Sequence, residues 1–186
     1  MPVVRDDHAE LLLIESVRSG DRFAFTELVR TQDRWIRSIV FGVRGRADAL
    51  DDVCQQVWAS VWGRIGELRD SGSWRSWTYR LARNAAIDAG RDTTRRRRAA
   101  ATGQLAEGVA LATPDRDACE RERDGAVLDA VQSLPAIYRE PFVLRHVHGW
   151  GYRQIAELME MTVDSLETRL VRARRLLREA LKDRVL

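Results

Sequence analysis

The stretch that decides the fold is GYRQIAELMEMTVDSLETRL, residues 151–170. Glycines flank Trp150 and break the chain just before its first helical segment, and Thr162 can cap the second. Apolar residues lie on the two segments at spacings that let them pack together: Ile155, Ala156, Met159, Leu166 and Leu170. Helix, short turn, helix is the helix-turn-helix layout, whose second helix commonly enters the major groove of DNA.

The outer face of that second helix, which we expect to reach about Lys182, is rich in arginine: Arg169, Arg172, Arg174, Arg175 and Arg178. Arginine can bridge guanine bidentately or clamp phosphates, and only contacts to base edges confer sequence choice. We predict that duplex DNA contacts Arg169, Arg172 and Arg174, with Arg153 and Thr168 as secondary candidates.

Four helices are predicted in the first half of the chain, because apolar residues recur there at three- and four-residue steps. The first ends at Gly20, Asp21 caps the second, and Gly42 and Gly45 bracket the next turn. The third is expected over 47–68, with Cys54 as a small core residue, and the fourth over 74–92. No alternating strand pattern of useful length occurs.

Residues 99–115 contain mainly small residues and few large apolar ones, which is typical of a linker. Beyond them we expect a short charged helix over 117–132, then a helix that Ser133 caps and that Pro141 bends or delays. The prediction is an all-α protein of two small helical domains, 7–98 and 117–186, joined by a flexible linker over 99–116.

Composition excludes several classes of protein. The 31 Lys+Arg against 28 Asp+Glu give a net charge of only +3, and two distant cysteines support neither a disulfide scaffold nor a zinc site. His146 and His148 diverge on a helix, and no Gly-rich phosphate loop or H-E-x-x-H motif occurs. We therefore expect no enzyme, metal or cofactor. Without an apolar run of ~20 residues, we expect a cytoplasmic protein with no membrane insertion.

Several motifs resemble those of extracytoplasmic-function (ECF) sigma factors. GDRFAFTELV at 20–29 resembles G-D-x-x-A-F-x-x-L, and DDVCQQVW at 51–58 is similar to (E/D)-D-V-x-Q-(E/D)-V-F. WRSWTYRLARNAAID at 74–88 resembles the family's F-x-x-W-L-x-x-I-A-R-N-x-x-x-D helix, and LPAIYRE at 134–140 resembles L-P-x-x-x-R-E. Two departures are Glu160, at a usual turn glycine, and Glu167, which replaces a lysine and would repel phosphate.

The resemblance implies regions 2 and 4 of the sigma-70 family, which bind core RNA polymerase at its clamp helices and flap and direct it to promoter DNA. An anti-sigma factor is an implied partner. Core polymerase is expected to meet Asp51, Asp52, Gln55 and Gln56, and the arginines named above would bind the minus-thirty-five element. The minus-ten element is expected to meet a larger set: Asp70, Ser71, Ser73, Trp74, Arg80, Arg83, Asn84, Asp88 and Arg91.

Other interpretations stay open on the residues alone. The polar face at 51–56 could be an ordinary solvated helix face. Trp74 and Trp77 could offer flat rings on which unpaired bases stack, but their spacing of three suits core packing equally well, and Trp77 is assigned mainly to the core. The basic run at 95–98 could be solvated or bind DNA. The alternative function is a helix-turn-helix regulator that binds duplex operators without core polymerase, which leaves the motifs at 51–58 and 74–88 unused.

Overall fold

The computed structural model describes residues 7–46, 48–100 and 118–182, and every regular element in them is helical. The predicted linker from residue 101 to 116 lies outside the described residues. Two short 3-10 turns, Ile65–Glu67 and Ser71–Ser73, separate the third and fourth helices. The eight α-helices are α1 Asp7–Arg18, α2 Arg22–Arg44, α3 Leu50–Arg64, α4 Trp74–Ala100, α5 Ala118–Ser133, α6 Ala136–His148, α7 Tyr152–Leu158 and α8 Val163–Lys182.

Two predicted helix caps are confirmed. The Asp21 carboxylate accepts hydrogen bonds from the backbone N–H groups of Phe23 and Ala24, at 2.8 and 3.1 Å, and so fixes the start of α2. The Thr162 hydroxyl accepts from the Ser165 N–H at 3.2 Å ahead of α8. Such caps each stabilise a helix by about 1 kcal/mol because they satisfy backbone donors that the helix leaves unpaired.

Five local predictions need correction. Gly42 lies inside α2 rather than in a turn, and only Gly45, with φ 66°, ends that helix. The α-helical part of the third helix covers only 50–64, and α4 continues past residue 92 to Ala100. Ser133 is the last residue of α5 and bonds back to the Ala130 carbonyl, so it does not cap α6. Pro141 lies within α6, which already begins at Ala136, so Pro141 does not delay the start of that helix.

The first group of helices, α1–α4, encloses a core between α2, α3 and α4. The apolar stripe predicted along α3 is buried, with Val57 and Val61 almost wholly enclosed, and it faces Leu28 and Ile36 of α2. Burying a side chain of this size contributes roughly 1.5–3 kcal/mol. The buried stripe leaves the opposite side of α3 exposed, which is where the predicted polymerase contacts lie.

The second group, α5–α8, packs directly on the first. Helix α6 makes its main contact with α2, and the Trp35 and Trp150 rings stack across this boundary with centroids 5.8 Å apart. The helix-turn-helix residues Ile155 and Leu166 belong to the same continuous apolar core as α1–α4. The structure is therefore a docked arrangement in which one apolar cluster runs through both groups.

Candidate polymerase and promoter interfaces

One face of α3 is polar and exposed, as predicted. The four side chains expected to meet core polymerase all lie on the solvent side: Asp51, Asp52, Gln55 and Gln56. Steps of one and four residues along a helix keep such a set together, while Val53 and Val57 turn inward. The structure thus brings the predicted contacts together on one continuous surface.

A hydrogen-bonded chain ties this surface to α2. The Trp58 indole N–H donates to Asp33 at 2.8 Å, and the other Asp33 oxygen pairs with Arg37 Nε at 2.5 Å. Arg37 Nη1 then reaches Asp51 Oδ1 at 2.5 Å. Hydrogen bonds from Arg37 to Asp51 and Asp33 raise the pKa of Arg37 above its ordinary value. Sequence reasoning missed Arg37, since its partner lies 14 residues away on another helix.

The predicted core role of Cys54 is confirmed. Its side chain is 1 % exposed within the apolar stripe of α3. Burial raises the pKa of the Cys54 thiol to about 11, although the Arg37 guanidinium acts in the opposite direction. The thiol is therefore protonated at neutral pH, which removes the reactive thiolate form.

The polar residues of the loop before α4 differ in their exposure to solvent. Asp70 is exposed and accepts from the Gly72 N–H at 3.0 Å, and the Ser73 hydroxyl donates to the Asp70 carbonyl at 2.7 Å. Ser71, however, is 7 % exposed and accepts from Arg18 Nη1 at 3.2 Å. Asp70 and Ser73 remain accessible for the predicted base contact, whereas the burial of Ser71 argues against its assignment.

The prediction for Trp74 also needs correction. Its ring is 1 % exposed and is among the largest fully buried side chains, so no base can stack on it in this structure. Trp77, which the sequence placed mainly in the core, is only half-buried and lies with its centroid 6.0 Å from that of Trp74. The aromatic spacing of three residues thus puts one ring in the core and one at its edge.

Helix α4 carries the remaining predicted minus-ten contacts. Arg80, Asn84, Asp88 and Arg91 are exposed at steps of three and four residues, and Arg91 pairs with Asp88 at 3.5 Å. Arg83 is half-buried and turns toward α6. The face therefore mixes hydrogen-bonding and cationic groups, as expected for contact with a DNA backbone and exposed bases.

Two arginines of this face are paired with carboxylates of the second group. Arg83 Nε lies 3.1 Å from Glu140 Oε2, and the Tyr79 hydroxyl donates to the same oxygen at 3.1 Å. Arg80 Nη1 lies 3.5 Å from Glu160 Oε1. Burial and the Glu140 carboxylate raise the pKa of Tyr79 well above its ordinary value, so this hydroxyl stays protonated and can donate.

Arg139 joins the two groups through backbone oxygens. It is 5 % exposed and donates to the carbonyls of Gly42 at 2.8 Å and Val43 at 2.9 Å, in the last turn of α2. It also donates to the carbonyls of Gln132 and Leu134 in its own group. A guanidinium satisfies carbonyls that a helix end leaves unpaired and is favoured by the helix dipole. Arg139 and Glu140 belong to the motif LPAIYRE at 134–140, but the motif does not predict their partners in α2 and α4.

The arginines of α8 fall on two sides of the helix. At about 100° per residue, Arg169 and Arg172 share a side with Ser165 and Thr168. Arg174 lies roughly opposite and lines an open apolar groove with Phe142 and Leu177. Sequence analysis grouped all three arginines, but only Arg169 and Arg172 lie together. Glu167 also lies away from the Arg172 side, which reduces the repulsion expected from it.

The histidines have separate local partners. The His146 ring lies against Phe142, with centroids 4.3 Å apart and planes inclined by 37°, and His148 Nε2 lies 2.6 Å from the Ser38 hydroxyl. Within 7–46, 48–100 and 118–182, no three His, Cys, Asp or Glu side chains group closely enough to hold a metal ion. In the same residues, no helix is both long and apolar enough to cross a bilayer.

Comparison with known proteins gives the family. Residues 28–96 match the model of sigma-70 region 2, and residues 124–177 match that of sigma-70 region 4. The RNA polymerase sigma-H factor of Pseudomonas aeruginosa is 28% identical over 178 residues, which cover 91% of this chain and 92% of that protein. The ECF RNA polymerase sigma-E factor of Haemophilus influenzae is 27% identical, with 89% and 91% covered.

Solved structures share the fold. RpoE of Bartonella quintana, in complex with the anti-sigma factor NepR, has a TM-score of 0.68 at 20% identity, with 85% of this chain and 96% of that chain covered. CnrH, in complex with the cytosolic domain of CnrY, has a TM-score of 0.67 at 22% identity, with 96% and 99% covered. The two region models match in the order 2 then 4 and together span well over half of the sequence. With the similarity to ECF factors along nearly the whole chain, they show that this chain belongs to the sigma-70 family as a sigma factor of the ECF group.

Proposed function

We propose that α3 docks this sigma factor on the clamp helices of core RNA polymerase, while α4 and α8 contact the minus-ten and minus-thirty-five elements of a promoter. The exposed polar face of Asp51, Asp52, Gln55 and Gln56 carries the proposal. This face lies on the side of α3 opposite its buried apolar stripe. Hydrogen bonds from Arg37 to Asp33 and Asp51 join α3 to α2. Such a rigid face can bind a partner without first becoming ordered.

At the minus-ten element, α4 would contact DNA through Arg80, Arg83, Asn84, Asp88 and Arg91. Asp70 and Ser73 would meet a base extruded from the non-template strand, and Trp77 replaces Trp74 as the aromatic side chain at the edge of this surface. Extruding a base costs a few kcal/mol, and binding of unpaired bases offsets it. The proposal therefore needs no covalent chemistry, and the protein would act stoichiometrically rather than as an enzyme.

At the minus-thirty-five element, α8 would lie in the major groove with Arg169, Arg172 and Thr168 toward the DNA. Arg153, exposed on α7, remains a secondary candidate. Arg174 faces the groove beside Phe142 and takes no part in this surface. Base-edge contacts from Arg169 or Arg172 would give sequence preference, and phosphate contacts would set orientation.

The partners follow from the family. We infer that an anti-sigma factor regulates this chain, as NepR binds RpoE in the solved complex of similar fold. The clamp and the flap of core polymerase would bind the first and second helical groups. Because bacterial transcription takes place in the cytoplasm, the protein is assigned there.

The decisive experiment is transcription by purified core polymerase from a library of random promoter sequences, with and without this protein. We expect promoter-specific transcripts only when the protein is added. A duplex-binding regulator would bind DNA fragments but fail to retain core polymerase on a column. Absence of both core retention and specific transcripts would reject the proposal.

A further inference from the structure

We propose that α1 holds the loop before α4, residues 70–73, in the conformation that meets an extruded base. Arg18 is the positioning residue, and it acts on this loop through Ser71. The inference rests on the proposed function, because the loop belongs to the minus-ten surface. Helix α1 lies ahead of residues 28–96, the part of the chain that matches sigma-70 region 2. Its role therefore follows from its own contacts rather than from that match.

Two buried side chains fix the position of α1. Ile14 and Val17 are each 1% exposed and pack into the core that α2, α3 and α4 enclose. The helix also packs against both 3-10 turns that precede α4. Arg18 directly follows Val17, so its backbone is held in place by the burial of that neighbour. The Arg18 side chain thus extends toward the loop from a fixed point.

The contact between Arg18 and Ser71 runs from α1 to the loop. Arg18 Nη1 donates to the Ser71 hydroxyl oxygen at 3.2 Å, and Ser71 is 7% exposed. A hydroxyl buried to this extent needs a hydrogen-bond partner, because an unpaired one costs free energy. The bond to Arg18 therefore keeps Ser71 directed inward, away from a base that meets the loop from solvent.

The two exposed side chains of the loop, Asp70 and Ser73, stand on either side of Ser71. Asp70 Oδ1 accepts from the Gly72 N–H at 3.0 Å, and the Ser73 N–H and hydroxyl donate to the Asp70 carbonyl at 3.0 and 2.7 Å. These bonds fix the shape of the turn, while the bond from Arg18 fixes where the turn lies relative to α1. Selective contact with a base edge needs both, because it tolerates displacements of only ~0.5 Å.

An ion pair ties the start of α4 to the same helix. Arg75 Nη2 pairs with Glu10 Oε2, and the two side chains are only 25% and 11% exposed. Glu10 and Arg18 are eight residues apart in the sequence, or about 12 Å along an α-helix, so α1 holds the chain both within the loop and just after it. Removing one partner of a buried pair destabilises a fold strongly, which makes Glu10 a poor test position. Arg18 is exposed, and its substitution leaves the core intact.

Base selectivity in the minus-ten element tests the role of Arg18. The measurement is transcription by core polymerase with the full chain, from promoters that carry every single-base change in that element. Arg18→Ala should lower the preference for the favoured base about fivefold at one position, within the roughly two- to tenfold effect of losing one hydrogen bond. Ser71→Ala should do the same, and the double variant should lose no more than either single one, because both act through one contact. Arg18→Lys keeps a donor and should retain most of the preference.

Arg30→Ala is the matched control. Arg30 is an exposed arginine of α2 whose partner, Glu27, lies on the same helix, so its removal should leave every base preference unchanged. A loss of stability, or of a phosphate contact by Arg18, would lower transcription from all promoters together, because neither depends on base identity. Uniform losses in Arg18→Ala, or parental base preferences in Ser71→Ala, would overturn the positioning role.

Amide hydrogen exchange gives a readout that does not depend on polymerase. The N–H groups of Gly72 and Ser73 are bonded within the turn and should exchange about fivefold faster in Arg18→Ala than in the parent. The N–H groups of Phe23 and Ala24, which are bonded to a carboxylate at the start of α2, serve as controls and should be unaffected. Unchanged exchange at Gly72 and Ser73 would mean that Arg18 does not hold the turn.

The two readouts separate this inference from the proposed function. If the parent neither retains core polymerase nor gives promoter-specific transcripts, the proposed function fails, and the exchange rates still decide whether Arg18 holds the turn. If the parent is active and Arg18→Ala has the same base preferences, only the positioning role fails.

Discussion

Arg37 and Asp51 form an ion pair, with Nη1 and Oδ1 2.5 Å apart, that joins α2 to the proposed polymerase-binding face of α3. The same guanidinium also binds Asp33, which in turn accepts from Trp58. Within the proposed polymerase-binding face, Asp51 is therefore held by an ion pair to α2. Asp52 is exposed beside it. Charge changes at these two positions should have different consequences.

Asp52→Lys should weaken the retention of core polymerase by at least about tenfold, because it places a cation in the proposed interface without breaking the Arg37 pair. The measurement is the concentration of protein that half-saturates immobilised core polymerase. Glu67→Lys, also an exposed acidic position but outside the proposed face, serves as the control. Equal losses in both variants would show that the effect is one of total charge alone.

Arg172→Ala should reduce binding to a minus-thirty-five duplex, and Arg174→Ala should have a much smaller effect. Arg172 shares a side of α8 with Arg169, whereas Arg174 lines the groove beside Phe142. Loss of a base contact corresponds to about 1–3 kcal/mol, and loss of a phosphate contact lowers the salt slope by ~1. Titrations at several salt concentrations would check both; a larger effect at Arg174 would invalidate the division of the helix into two sides.

Trp74→Ala should destabilise the protein by about 3–5 kcal/mol, because it removes a fully buried indole from the core. Trp77→Ala should cost less stability, since that ring is only half-buried. Urea denaturation of both variants measures the difference. If Trp74→Ala retained parental stability and lost promoter opening alone, the sequence-based assignment of Trp74 to base stacking would be restored.

Gly45→Ala should be more destabilising than Gly149→Ala, although both glycines have φ 66°. The backbone strain is common to the two and amounts to roughly 1–2 kcal/mol. Only at Gly45 would the new Cβ meet a side chain, 2.1 Å from Arg139 Nη1, and displace its guanidinium from α2. Thermal unfolding of the two variants provides the comparison, and equal losses would mean that Arg139 is not held as described.

The free energy of unfolding should fall as pH rises from about 9 to 11, partly because of Cys54. Burial raises the pKa of this thiol from 9.0 to about 11, so its stabilising contribution is complete below the unfolded value and is lost through the folded one. Cys54→Ala should show a shallower fall than the parent over the same range. Urea denaturation at a series of pH values checks this prediction. Identical slopes of unfolding free energy against pH for the parent and Cys54→Ala would contradict it.

The sequence predicted the helices well where the signal was local. Asp21 and Thr162 cap the helices they precede, and the apolar stripe through Val57 is buried as its period indicates. Boundaries were less accurate where tertiary contacts decide them: Gly42 looked like a turn residue because a glycine in a helix is unfavourable. A glycine occupies this position because α6 approaches it closely at Glu140, which lies 98 positions further along the sequence.

The candidate site could be predicted only in part, because several of its residues depend on contacts between distant helices. Periodicity places Asp51 and Asp52 on the exposed side of α3, but it does not tell which of two tryptophans three residues apart enters the core, and Trp74 was assigned wrongly. The roles of Arg37, Arg139 and Glu140 depend on partners from distant helices. Arg139 and Glu140 carried one available signal, since they are the only charged residues in the first half of α6, Ala136 to Phe142.

The stacked rings of Trp35 and Trp150 also give the molecule an optical property. Two indoles 5.8 Å apart and inclined by 22° couple their electronic transitions, so their joint near-ultraviolet dichroism differs from the sum of two isolated chromophores. One indole comes from each helical group, and the coupling exists only while the groups touch. Loss of the contact between the groups would therefore change the dichroism signal, with no dye attached to the protein.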